Sequence, residues 1–201
     1  MNRDGIAEPR YPDAPEIPAR GSAHVWRVEL PESGGREAAR AALREILAAY
    51  LGGRPEAVAT IAGEDGKPRL AVTPPPLAFN LSHSGGLALV AIAAGGTEIG
   101  IDVERLRPRR DMARLAARWL PAADAEAVAA APEEQREAGF YAAWTAHEAR
   151  TKCTGAGLSG PAPGPEIAAL PLEIDPGYAA ALAAAPAPTP VHRFEFSRLH
   201  G

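Results

Sequence analysis

Hydrophobic and polar positions alternate along residues 23–30, with His24, Trp26, Val28 and Leu30 on one side, the period-two signature of a half-buried strand. Pro31 and the Ser33-Gly34-Gly35 run close it. The period then changes: Leu43, Ile46, Leu47 and Tyr50 recur at helical spacing, which predicts a helix over 36–50 that Gly52-Gly53 stops. A short hairpin is expected over 61–70, turning at Glu64-Asp65-Gly66, and a short strand over 77–80. The unbroken apolar run at 87–93 suits a central strand buried on both faces. In the strand that follows, Ile99, Ile101 and Val103 point one way, and Glu98, Gly100, Asp102 and Glu104 the other.

Downstream, Met112, Leu115, Ala116 and Trp119 mark a helix closed by Pro121, and a second helical stretch covers about 122–131. A long helix over 134–153 brings Phe140, Trp144, Glu148 and Lys152 onto one face, and Gly155 and Gly157 break it. Residues 172–174, 178–184 and 191–196 are candidate strands. Residues 1–20 read as a poorly ordered tail. Two α+β halves, 21–106 and 107–201, fit the 201-residue length, and Asn80-to-Gly86 and Ile174-to-Gly177, each leading into an apolar strand, faintly echo one another.

Composition narrows the function. A net charge of −4 argues against a generally basic nucleic-acid binder, since such affinity comes from neutralising phosphates. Cys153 is the only cysteine, so no intrachain disulfide forms. No basic leader and no run of about 18 apolar residues occurs, so no membrane partner is expected and the cytoplasm is the expected compartment. The 21 prolines and 20 glycines cluster at the start, around Pro74 to Pro76 and over 160–189, which marks irregular connectors.

Asp102 and Glu104 at i and i+2 share a strand face and repel unless a cation, a proton or a base relieves them; a solvated acidic strand end is the competing reading. Glu148, on an otherwise core-like helix face, needs a partner if buried, and either a metal or a simple Glu148–Lys152 helix pair would serve. Magnesium suits such a site, because it takes one or two carboxylates plus substrate phosphates. Ser82, His83 and Ser84 could meet phosphate, act as a nucleophilic set, or form an ordinary polar turn. Lys67 by itself reads as an isolated surface lysine. The Arg105, Arg107, Arg109 and Arg110 cluster is a solvated linker or an attractor for an acidic protein.

Phe79 to Gly85 (FNLSHSG), Ile99 to Glu104 (IGIDVE) and Trp144 to Leu158 (WTAHEARTKCTGAGL), with Gly66-Lys67-Pro68 ahead of them, resemble the ordered signatures of the 4'-phosphopantetheinyl transferases of the larger, single-chain Sfp type. The resemblance covers about 23–197. It implies an α+β pseudodimer of two similar halves, each a small antiparallel sheet packed on a long helix, acting as a monomer. It also implies transfer of the phosphopantetheine arm of coenzyme A to a serine of an acyl, peptidyl or polyketide carrier protein, with release of adenosine 3',5'-bisphosphate. By the same resemblance Asp102, Glu104 and Glu148 match the ligands of Mg²⁺, for which Mn²⁺ can substitute. Lys67, Ser82 and His83 match contacts to coenzyme A phosphates, and Lys152 matches the lysine at the reacting centre, with Glu148 as candidate base.

Two departures stand out. His147 stands where the resemblance expects a lysine before the helix glutamate, and the stretch between Leu30 and the first helix is short, leaving Arg36 as the nearest candidate for the arginine expected at the nucleotide. A catalytically weakened coenzyme A or carrier-binding module, and an unrelated metal-dependent phosphohydrolase, are the competing functions.

Overall fold

A computed structural model describes residues 16–63, 66–157, 163–164 and 166–196, so most of the expected tail and two residues of the expected hairpin turn lie outside the described residues. The architecture is mixed α+β. Strand β1 (Ala23–Glu29) is followed by helix α1 (Gly35–Leu51), the hairpin β2 (Thr60–Ala62) and β3 (Pro68–Leu70), and strands β4 (Leu77–Ser84), β5 (Leu87–Ala94) and β6 (Ile99–Arg105). Helices α2 (Met112–Trp119), α3 (Ala122–Ala130) and α4 (Glu133–Thr154) come next, then β7 (Ala168–Pro171), β8 (Tyr178–Ala184) and β9 (Val191–Phe196). One sheet has the order β4-β5-β1-β9 and the second the order β6-β8-β7.

The layers run α1, first sheet, second sheet, α4. On one face of the first sheet, Val28, Phe79, Val90 and Ile92 bury against Ala39, Ala42, Ile46 and Leu47 of α1. On its other face, Val25, Leu87, Leu89 and Ala91 meet Ile99, Ile101, Val103 and Leu182 of the second sheet. The expected half-buried β1 is therefore covered on both sides, and the alternation in its sequence separates two cores rather than core from water. The outer face of the second sheet packs on α4 through Ala149, Cys153, Ala181 and Ala183. Leu120, Val128, Phe140 and Tyr141 form a further core where α2 and α3 meet the first half of α4. None of the described helices is long and apolar enough to cross a membrane.

Four local expectations change. β4 runs on through Ser82, His83 and Ser84, so the expected polar turn is strand. Its alternate polar side chains face the free edge of β6, which satisfies them inside a sheet. Residues 172–174 are not strand; the edge strand precedes them as β7 and ends at Pro171, after which Leu172 N–H makes a last bond to Ala180 O. The sheets are not wholly antiparallel, since β9 runs parallel to β1 as an edge strand. The polar face of β6 is covered by α4 rather than water, because Gly100 lets the helix backbone approach.

A Cβ at Gly100 would stand 2.1 Å from Ala149 O and 2.4 Å from Cys153 N. Gly100→Val is therefore expected to destabilise the fold by about 3 kcal/mol or more in urea unfolding, as overpacking against backbone has no flexible atom to yield. Gly139→Ala, on the same α4 with open space around it, should instead stabilise by about 0.5 to 1 kcal/mol.

Candidate functional site

The site forms where β4, β6 and α4 meet. β6 has β8 on one edge and, among the described residues, no strand on the other. At that open edge, Asn80 Oδ1 accepts Ile101 N–H at 2.9 Å, Ser82 Oγ accepts Val103 N–H at 3.4 Å, and Ser84 Oγ accepts Arg105 N–H at 3.1 Å. Each serine hydroxyl also donates: Ser82 Oγ to Asp102 Oδ1 at 2.8 Å, and Ser84 Oγ to Glu104 Oε2 at 2.7 Å. One strand's period-two hydroxyls thus tie down both the backbone and the carboxylates of the next.

Asp102 is 3 % exposed. Its Oδ1 also accepts Lys152 Nζ at 2.6 Å, and Lys152 Nζ reaches Ser82 Oγ at 3.0 Å. Its Oδ2 is buried without a hydrogen-bond partner among the described residues, which is costly for an ionised oxygen. Burial pushes the Asp102 carboxyl above its ordinary value, with Lys152, Ser82 and the Val103 N–H opposing it. Glu148, partly buried on α4 one turn before Lys152, is raised by burial and then by the Asp102 and Glu104 charges, while Lys152 opposes. Burial also raises Glu104, and Ser84 holds it back.

Three mutually repelling carboxylates around one lysine form a hard-oxygen donor set with one orphaned oxygen, and that chemistry fits a small divalent cation. Among the described residues no three such groups close into a ready cage, so any ion held here would take other oxygens as well.

The remaining sequence-selected residues divide between two places. His83 lies on the opposite face of β4 from Ser82. Burial lowers its pKa first, followed by the charges of Arg36, Lys152 and Arg40, so it stays a neutral imidazole at the edge of a basic group. Arg36 and Arg40 are exposed one turn apart at the start of α1. Sequence reasoning missed Arg40, although its i+4 relation to Arg36 was readable. Lys67 is drawn elsewhere. Almost fully buried, it donates to Glu98 Oε2 at 3.0 Å and to Cys153 O at 3.1 Å, and so holds the end of α4. His147 is buried with Nε2 unpartnered among the described residues; burial lowers its pKa, Asp124 opposes, and Arg150 adds to the lowering. Ser84 anchors Glu104, a role that none of the three sequence readings of the Ser82-His83-Ser84 run included.

Residues 98–197 match a family model described as the 4'-phosphopantetheinyl transferase superfamily. The chain is 37% identical over 168 residues to 4'-phosphopantetheinyl transferase HetI of Nostoc sp., covering 82% of this chain and 68% of that protein. It is 37% identical over 122 residues to 4'-phosphopantetheinyl transferase AcpT of Salmonella typhimurium, 61% of each chain. To AcpT of Escherichia coli K12 it is 38% identical over 135 residues, 64% of this chain and 63% of that one.

The raised carboxyls set a pH dependence. A carboxyl whose folded value lies above its unfolded value favours the protonated form in the fold, so its stabilising contribution is present at low pH and lost as pH rises through the raised value. In chelator, the melting temperature of the wild type should fall relative to Glu104→Gln as pH rises above the ordinary carboxylate range. Stabilisation by added Mg²⁺ should grow over the same range; a pH-independent difference by scanning calorimetry would remove the repelling cluster from the account.

Proposed function

The chain belongs to the 4'-phosphopantetheinyl transferase superfamily, and on that premise we propose that it moves the 4'-phosphopantetheine arm of coenzyme A onto a serine of an acyl, peptidyl or polyketide carrier protein. The carrier serine oxygen attacks the β-phosphoryl group of the coenzyme A diphosphate, and the bond to adenosine 3',5'-bisphosphate breaks. The observation that carries this reading is Asp102, buried with one oxygen on Ser82 and Lys152 and the other unpaired, beside Glu104 and Glu148.

Asp102, Glu104 and Glu148 are the groups that would hold Mg²⁺ or Mn²⁺. When bound, the ion supplies neutralisation of the diphosphate charge. Glu148, lifted above the ordinary carboxylate range, is the base that takes the serine proton; its raised value matches it better to neutral pH than an unperturbed glutamate. Lys152 Nζ, on a side chain about one third exposed, is the fixed cation for a phosphoryl oxygen. Arg36, Arg40 and His83 form the basic edge that meets a nucleotide phosphate, the arginines as charges and His83 as a neutral hydrogen-bonding group. Ser82 contributes by orienting Asp102 and Lys152, and Lys67 by fixing the end of α4. The pairing of each main sheet with one long helix supports a single-chain pseudodimer of the Sfp type, working as a monomer in the cytoplasm.

Intact-mass measurement of apo carriers incubated with coenzyme A should show an added phosphopantetheine with Mg²⁺ and none in chelator. Asp102→Ala should lower that rate by about a hundredfold or more. Tight coenzyme A binding with no carrier modified would instead indicate a binding module, and cleavage of coenzyme A without any carrier a phosphohydrolase.

Glu148→Gln separates the two roles given to that residue. As a base, its loss should lower kcat and flatten the acid limb of the pH–rate profile. If only the Mg²⁺ concentration needed for half-maximal rate changes, Glu148 is a ligand and not the base.

A further inference from the structure

The outer face of the first sheet carries a polar group that the carboxylate site does not use. β1 and β9 run parallel, and their register sets His24 directly beside His192. By strand alternation both side chains lie on the α1 side of the sheet, with Trp26 and Phe196. Asp102 belongs to the second sheet, across the other core. β9 ends the strand order of its sheet, so among the described residues no further strand covers its outer edge.

The two imidazole centroids stand 5.4 Å apart with their planes at 90°. Two imidazoles on one tetrahedral ion, at metal–nitrogen distances of about 2.0 to 2.1 Å, have ring centres about 5 Å apart. His24 is 8 % exposed, and its Nδ1 lies 2.7 Å from Tyr50 Oη, which also accepts Trp26 Nε1–H at 3.0 Å. With the His24 proton on Nδ1, Tyr50 Oη accepts from both rings and His24 Nε2 presents its lone pair. An outer hydrogen bond of this kind fixes the tautomer of a metal-binding histidine. Burial pushes the Tyr50 phenol up to about 12, which keeps it a neutral partner. Burial, followed by the His192 charge, holds His24 below its ordinary value, so its imidazole is in the neutral, ligating form. Phe194 lies 4.9 Å from His24 and stacks on Trp26 at 4.8 Å, which restrains the buried ring. His192 is exposed and leaves the pair open to solvent on one side.

We propose that His24 and His192 form a second metal site, for a borderline transition-metal ion of the Zn²⁺ class, and that the bound ion staples β1 to β9. Imidazole nitrogen suits Zn²⁺, Cu²⁺ and Ni²⁺, whereas Mg²⁺ requires oxygen, so this site and the carboxylate cluster select different ions. Among the described residues no third side chain of the ligating types joins the pair, which leaves the other coordination positions to water and the ion in exchange with solvent. The ion would join the first and last strands of the described chain. Occupancy therefore adds to the stability of the fold while leaving the carboxylates untouched. A plain aromatic contact at a sheet edge, the competing reading, gives no response to metal.

The test reads the melting temperature of the untagged full chain by scanning calorimetry, in excess Mg²⁺ to compete at the carboxylates. About 50 μM Zn²⁺ should raise it by about 2 °C or more, and a Zn²⁺-selective chelator should reverse the rise. His192→Phe keeps a ring at an exposed position and removes the ligand. It should abolish the rise, with the metal-free melting temperature within about 2 °C of the wild type. His192→Cys, which supplies another zinc ligand, should restore the rise, as a purely packing role would not. Titration calorimetry should show a Zn²⁺ binding event in the wild type that is lost in His192→Phe. Carrier modification with Mg²⁺ should be the same in His192→Phe as in the wild type, so the fate of the transfer reading appears in a separate measurement. No Zn²⁺-dependent rise in the wild type, or a rise of the same size in His192→Phe, overturns the second metal site.

Discussion

The structure turns on an unfilled sheet edge. β6 offers N–H groups at Ile101, Val103 and Arg105 with no strand among the described residues to receive them, and Asn80, Ser82 and Ser84 of β4 receive them instead. Buried donors without partners cost on the order of 1 to 3 kcal/mol each, so this side-chain ladder is a condition for bringing the two sheets together. It also fixes register. A one-residue slip of β4 would turn Leu81 and His83 toward β6 and break the ladder, since Leu81 offers no side-chain acceptor.

The same ladder makes the site. A serine hydroxyl that accepts from residue n+1 of β6 is positioned to donate to the carboxylate of residue n, and this happens at both Asp102 and Glu104. Lys152 then closes the arrangement from α4, which Gly100 admits close to the strand and Lys67 holds at its last turn. Charge repulsion among Asp102, Glu104 and Glu148 is therefore held by packing on three sides. Such stored repulsion is what a cation or a transferred proton can discharge.

Strand and helix periods made much of this legible. The alternation in 99–105 and the amphipathic α1 follow directly from side-chain periodicity, and β5 from its unbroken apolar run; the bounds of β8 and β9 coincide with the candidate strands 178–184 and 191–196, although the alanine-rich β8 shows no period. The role of the Asn80-Ser82-Ser84 set was not legible, because three polar residues in a row of alternates look like solvent contact until an open strand edge is placed opposite them. Ser82 and His83 were grouped by proximity in sequence, yet a strand sends neighbours to opposite faces. The glycine at 100 carried no signal of its own; only the helix lying across it gives it meaning. Lys67 was equally silent, since nothing local announces that its ammonium ends on Glu98 and the carbonyl of Cys153.

β9 lies beside β1 in parallel, with Arg27 and Glu195 joined across a sequence separation of 168 residues. The first sheet is thus assembled from opposite ends of the described chain. During synthesis β1, α1, β4 and β5 can collapse early, but one side of β1 stays bare until residues 191–196 leave the ribosome. Until then the bare edge of β1 is open to edge-to-edge association with another chain, a hazard of the folding route and not of the finished fold.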